Sequence, residues 1–365
     1  MSKKGALPYQ TIMEMLGSSI LGVSDKENVK PSSLDLTLSG EVYLLDTGAF
    51  LPFSGEKVSD VLEMVSKQKI DFIKNKLHLK KDKSYVIKLN ESLRLPKSVY
   101  GYANPKSSSG RLDIHVRLLS DGITRYDTLY NNYQGDLWLL ITSKTFNCVL
   151  EEGMSLNQVR FFNSDMRLDE TELEIFLQKE NLIFDKEGHS LGYDDLVISD
   201  HDGSIILTLD MSLDVFGYRA IRTSKEIDLS RRDYDWEKFF DPLEKENGCV
   251  TLEKGEFYIL VCNERVRVPP SLACEMVPMD ERTGEFRSHY AGFIDPGWGY
   301  GKKGEEKGRP LVMEVRPFED ILVRHGYPIA KIRFERLTCE PDVVYDSAGS
   351  NYSKQSGPKL AKQFK

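Results

Sequence analysis

Six consecutive residues, Lys106-Ser107-Ser108-Ser109-Gly110-Arg111, set two cations, three hydroxyls and a glycine side by side. Hydroxyls and open backbone N–H groups hold phosphate oxygens, and an arginine can grip two at once, so the run reads as an anion cradle. The same residues would also serve as a serine-rich solvent turn. Far downstream, Glu314 lies in the apolar stretch PLVMEVRPF between Met313 and Val315. A carboxylate in such a strand loses hydration, its pKa rises, and it becomes a candidate general acid or base. Strand alternation equally allows it to point outward from a half-exposed strand. Ahead of it stands AGFIDPGW, Ala291 to Trp298, and then the charged, glycine-rich insertion GYGKKGEEKGR.

These groups fall in two halves of a repeat. NESLRLPKS at 90 is matched by NERVRVPPS at 263, an offset of 173 residues. The same offset relates Gly153, Arg160 and Phe161 to Gly326, Arg333 and Phe334. So long a period indicates duplication of a whole domain rather than a solenoid array. The copies are placed at about 1–165 and 195–365, with a helical linker over about 166–194. The copies have diverged in complementary ways. Opposite the serine loop the second copy reads Met279-Asp280-Glu281-Arg282-Thr283-Gly284, whose carboxylates repel phosphate. Opposite Glu314 the first copy has Leu140 or Ile141, neither of which can move a proton. One composite site per chain is the expectation.

The elements that must position these groups are short apolar or alternating runs such as SYVIKL, LWLLIT, EFYILV and AKIRFE, broken by Gly, Pro and Asn. That pattern predicts a mainly β fold in each half, a sandwich or barrel. Helical spacing is confined to SDVLEMVSKQKIDFIKN, DETELEIFLQK and SRRDYDWEKFF. In the second of these, Leu173, Phe176 and Leu177 share a face expected to pack at the domain junction.

The chain has 365 residues, enough for two domains with cores of their own, and its 40% hydrophobic and 29% charged content is that of a soluble protein. A net charge of −8 disfavours nucleic acid polymers and anionic membranes as partners, so a polyanionic ligand needs a local basic cluster. Five scattered cysteines in apolar settings read as reduced core residues, and no stretch is long and apolar enough for a membrane span, so the cytoplasm is the expected location. None of the six histidines begins an H-x-E, and C-x-x-C is missing, which argues against zinc deaminase chemistry. No Walker or G-x-G-x-x-G loop occurs. His115, in the alternation LDIHVRLL, is read as a hydrogen-bonded core residue.

Together, LDLTLSG, LPKSVYGYANPKSSSGRLDIHV, YAGFIDPGW and LVMEV resemble the dCTP deaminase branch of the dUTPase-like superfamily, whose bacterial two-domain members have a similar length. The resemblance implies two tandem dUTPase-like β-barrel (β-clip) domains and hydrolytic deamination of dCTP to dUTP. It implies that Lys106, in place of the family's usual Arg, and Ser107, Ser108, Ser109 and Arg111 hold the triphosphate, with Ser107 and Arg111 also placing the attacking water. Asp295 would contact the sugar hydroxyl, the backbone near Ala291 would read the base, and Val312 joins the substrate-binding positions. Glu314 would shuttle protons, and a C-terminal tail with Tyr345, Tyr352, Lys354 and Gln355 would close over the triphosphate.

The mechanism expected has Glu314 taking a proton from a water that attacks C4 of cytosine and returning protons to N3 and the departing amine. No catalytic metal and no zinc are expected; Mg2+ enters as counterion of the triphosphate. A homo-oligomer is expected, and dTTP is a candidate inhibitor. A dUTP diphosphatase, or a bifunctional enzyme making dUMP, is one alternative; a non-catalytic nucleotide-sensing β-domain protein is another.

Overall fold

The computed structural model describes residues 3–72, 76–196, 200–279, 281–289, 292–347 and 355–365. The chain forms two compact units. The N-terminal unit comprises Ala6–Ser164 together with Arg222–Asp235 and Ala361–Lys365. The C-terminal unit comprises Met1–Gly5, Asp165–Ile221 and Trp236–Leu360. Two short segments that follow the second half in sequence thus fold with the first.

In the N-terminal unit a nine-stranded sheet carries, in order, Ile114–Ser120, Gln134–Ser143, Ser84–Arg94, Leu34–Leu45, Ser155–Phe162, Tyr100–Pro105 and Thr128–Leu129, with two short strands off this path. The path crosses back and forth through the sequence, as antiparallel pairs do in a barrel-like sheet. In the C-terminal unit one sheet is built on Tyr258–Val266 and Arg309–Pro317, and another on Ser204–Thr208, Pro328–Arg336 and Leu272–Val277. Among the described residues no helix is long and apolar enough to cross a membrane.

Register makes the duplication visible bond by bond. Val86 pairs with Leu140, and 173 residues on, Ile259 pairs with Glu314. Leu140, rather than Ile141, is therefore the counterpart of Glu314. Tyr85 accepts the amide N–H of Lys80 on its hydroxyl, as Tyr258 accepts that of Glu253. The glutamate of the repeated N-E segment is buried in both copies, at 1% exposure for Glu91 and 6% for Glu264, and each carboxylate spans one threonine. Glu91 accepts the Thr37 N–H at 2.8 Å and its hydroxyl at 2.7 Å; Glu264 accepts those of Thr208 at 2.7 and 2.6 Å. The shared glutamate is thus a structural clamp between adjacent strands.

The helical expectations divide. DETELEIFLQK forms the helix Glu170–Glu180, closed at its start by a capping box of Asp169 and Glu172 and at its end by Asn181 in the left-handed region. It does not stand apart as a linker: Leu173 and Leu177 enter the core of the C-terminal unit, with Phe176 against it. SDVLEMVSKQKIDFIKN is helical only over Val58–Val65; Ser66–Asp71 is a strand paired with Leu34–Leu45. The long ladder partner outweighs the weak helical preference of that charged run. SRRDYDWEKFF keeps only the short turn Trp236–Lys238. Ahead of it the Asp228 carboxylate takes the Ser230 N–H and hydroxyl and Arg231 pairs with Asp233, local bonds that compete with a helix.

Candidate active site

The strand Tyr100–Pro105 ends at Lys106, whose N–H bonds the Leu156 carbonyl at 2.9 Å, and the chain then turns through the short helix Ser107–Gly110. Arg111 closes the turn with its N–H on the Ser107 carbonyl at 3.0 Å, and its side chain is 3% exposed. The three serines are not equivalent. Ser109 is fully buried and donates its hydroxyl to the Leu156 carbonyl at 3.1 Å, so it fastens the loop to the strand Ser155–Phe162. Ser107 is exposed and Ser108 half-buried, and these two face solvent with Lys106.

The Lys106 ammonium is in contact with Asp35, a carboxylate 3% exposed on the strand Leu34–Leu45, and Lys30 stands 3.8 Å from the same oxygen. Sequence reasoning quoted LDLTLSG without singling out Asp35. Its signal lay in the repeat: Asp35 pairs with Gln158 as Ile206 pairs with Lys331, so the second copy has an isoleucine there. The basic loop and the acid that orients it are present in one copy only. Next to the loop, Asp113 is fully buried and accepts the Thr145 hydroxyl at 2.6 Å, with His115 at 3.6 Å. His115 is half-buried beside this carboxylate, as a hydrogen-bonded residue.

In the C-terminal unit, Glu314 lies in the strand Arg309–Pro317 between Tyr258–Val266 and Phe286–His289, opposite Ile259 and His289. Every residue from Arg309 to Val315 is buried, and Glu314 itself is 3% exposed. The outward-facing alternative is removed: the strand is covered on both faces, and Glu314 is held among Val312, Met313 and Val315.

Several predicted substrate groups gather around the start of this strand. Asp295 opens a turn in which the Trp298 N–H bonds its carbonyl at 3.1 Å. Gly297, at φ +93°, brings the turn so close to Val344 that an added Cβ would meet that side chain at 2.8 Å. Tyr345 donates its N–H to the Pro296 carbonyl at 2.8 Å, and its ring stands edge-on to Trp298 with centroids 5.0 Å apart. Gln355 is 4% exposed and donates its amide to the Pro310 carbonyl at 2.8 Å, which fixes the tail against the Glu314 strand. Arg309 binds both oxygens of Asp346, at 2.6 and 3.0 Å, and reaches Glu306. That Arg309–Asp346 fork ties the insertion and the tail to one strand, and nothing in the sequence pattern marked it. Ala291, Tyr352 and Lys354 lie outside the described residues.

Two barrel-like β domains of common origin, one with a basic hydroxyl loop and the other with a buried strand carboxylate, define a duplicated nucleotide-handling class of protein. Residues 3–165 match the family model for the 2'-deoxycytidine 5'-triphosphate deaminase N-terminal domain, and residues 169–364 match the one for its C-terminal domain. Among solved structures, the 2'-deoxycytidine 5'-triphosphate deaminase from Agrobacterium tumefaciens is 32% identical, with a TM-score of 0.82, covering 93% of this chain and 100% of its own. The chain belongs to the dCTP deaminase family. The dUTPases of phage phi11 of S. aureus and of Staphylococcus bacteriophage 80alpha match at 16% and 14% identity, each over 34% of this chain and 89% and 88% of their own. Their TM-scores are 0.21 and 0.19, and nothing is argued from them. Comparison with curated proteins gave no match.

Proposed function

We propose that the protein hydrolyses dCTP to dUTP and ammonia, with Glu314 as the proton-transfer group and the Lys106–Arg111 loop as the holder of the triphosphate. The observation that carries this reading is the complementary loss. The register partner of Glu314 in the other copy is Leu140, while Asp35 and the serine loop are replaced by Ile206 and a run with two carboxylates. Each copy lacks what the other keeps, so a working site needs groups from both.

In this reading the Glu314 carboxylate takes a proton from water as the oxygen bonds C4 of the cytosine ring. The proton passes to N3, the second water proton is delivered to the exocyclic amine, and the C4–N bond breaks to release ammonia and leave the carbonyl of uracil. Burial favours a carboxyl able to hold and return a proton, and such transfer contributes about 10²–10⁴-fold in rate. Arg111 and Ser107 place the water and bind phosphate oxygens, Asp295 meets the sugar hydroxyl, and the backbone about Ala291 with Val312 reads the base. Mg2+ serves as the counterion of the triphosphate. A homo-oligomer belongs to the same proposal, to be checked by sedimentation.

The experiment is incubation of the full chain with dCTP and Mg2+, without added zinc, and separation of products by ion exchange. dUTP with equimolar ammonia supports the reading. dUMP with pyrophosphate replaces it with the bifunctional alternative, and unchanged dCTP and dUTP at high enzyme concentration overturn it in favour of a sensing role.

A further inference from the structure

The chain does not end in the unit where most of its second half lies. Residues 361–365 fold with the N-terminal unit, as do residues 222–235. The anchoring is specific. Tyr234 donates its N–H to the Gln363 carbonyl at 3.0 Å, the Lys365 N–H returns to the Tyr234 carbonyl at 3.0 Å, and the rings of Tyr234 and Phe364 lie 6.3 Å apart. Ala361 and Gln363 are each 1% exposed. The Leu229 carbonyl accepts both the Gln363 amide, at 3.1 Å, and the Arg232 guanidinium, at 3.1 Å. One oxygen therefore draws Arg232 and the last turn of the chain together.

Between those two anchors sits Lys362, half-buried. Burial pushes its ammonium down to about 8, and the charges acting on it are, in order, those of Arg232, Lys106, Asp35 and Lys30. Four cations thus share a half-buried region with one carboxylate, and that carboxylate already serves Lys106 and Lys30. Among the described residues Lys362 and Arg232 have no carboxylate in salt-bridge contact. Such a cluster repels itself, and a polyphosphate is the kind of ligand that relieves the repulsion.

We propose that the C-terminal residues 361–365 are part of the phosphate-binding apparatus of the N-terminal unit, with Lys362 and Arg232 adding two positive charges beside Lys106 for a triphosphate. The idea rests on the assignment of the Lys106–Arg111 loop to phosphate, and extends it to residues that lie far from the loop in sequence and outside the loop motif itself. The loop alone supplies Lys106 and Arg111; the tail adds charge at its Lys106 end.

The test uses inorganic tripolyphosphate as the probe, titrated calorimetrically into the full chain, alongside steady-state dCTP turnover. Lys362→Met and Arg232→Met are compared with Lys365→Met, which removes an exposed cation of the same tail outside the cluster. The expected result is a loss of roughly tenfold or more in tripolyphosphate affinity for Lys362→Met and Arg232→Met, with KM for dCTP rising in parallel. Thermal midpoints close to wild type show that the tail still docks, and Lys365→Met leaves both readouts unchanged. Wild-type affinity in Lys362→Met, no tripolyphosphate binding by the wild type, or an equal loss in Lys365→Met overturns the inference. If the wild type makes no dUTP yet binds tripolyphosphate through Lys362, the proposed reaction fails and this site stands; if dUTP forms with unchanged KM in Lys362→Met, the reverse holds.

Discussion

Replacing Glu264 by alanine removes the clamp on Thr208, and its cost follows from the bonds it breaks. The carboxylate accepts two hydrogen bonds, at 2.7 and 2.6 Å, where Glu264 is 6% exposed. Hydrogen bonds to a charged group contribute about 1.5–3 kcal/mol each, and stranding a buried N–H costs about 1–3 kcal/mol. Relief of carboxylate desolvation offsets part of this, leaving about 4 kcal/mol. For a domain of this size that lowers the unfolding temperature by about 8–16 °C. Glu264→Gln behaves differently: its carbonyl accepts the Thr208 N–H and its amide donates to the Thr208 hydroxyl, so it costs about 1 kcal/mol or less. The pH dependence has a definite sign. Burial pushes the Glu264 carboxyl above the usual range despite the Thr208 bonds. A raised folded-state pKa gives stability that is complete below the unfolded value and is lost as pH rises through the folded value. Wild type therefore loses stability relative to Glu264→Gln between mildly acid and neutral pH. Calorimetric unfolding of both variants at several pH values is the assay. A cost below about 1 kcal/mol for alanine, or equal costs for alanine and glutamine, would refute the reasoning.

Glu91→Ala in the other copy should cost about 1 kcal/mol less than Glu264→Ala, because Asn90 also donates to the Thr37 hydroxyl, at 3.0 Å, and the hydroxyl keeps a partner; matched melting curves check it. Glu314→Gln should lower kcat by about 10²–10⁴ while dCTP still binds, measured by turnover and calorimetric titration. Affinity for dCTP should fall as pH rises from 7 to 9, because Lys362, with its ammonium pushed down to about 8, loses its charge beside Arg232, Lys106, Asp35 and Lys30, and the slope should flatten in Lys362→Met. A thiol reagent should label Cys339 first, since Cys339 is exposed while Cys148 and Cys262 are buried with thiols pushed far up by burial; mass spectrometry of peptides reads the order.

Both chemical halves of the candidate site were legible because each is local. A cluster of cations and hydroxyls and a lone carboxylate in an apolar strand announce themselves by residue type, and the offset of 173 residues showed that they belong to different copies. What burial settled, sequence alternation left open: Glu314 lies in a strand covered on both faces, and Leu140 rather than Ile141 is its counterpart. Ser109 shows the opposite case, a residue of the right type whose hydroxyl is turned inward onto Leu156. Asp35, the Arg309–Asp346 fork and the Lys362 cluster were not legible, because each joins residues far apart in sequence and leaves no periodic trace. The strand Ser66–Asp71 was read as helix for a related reason, since its partner Leu34–Leu45 decides its conformation.

Reaction of dCTP in heavy-oxygen water, followed by mass spectrometry of the product, tests the central claim most directly. The account predicts dUTP with the heavy oxygen on the uracil ring, none on phosphate, and no labelled product from Glu314→Gln. Heavy oxygen on a phosphate, or undiminished ring labelling in Glu314→Gln, would contradict it.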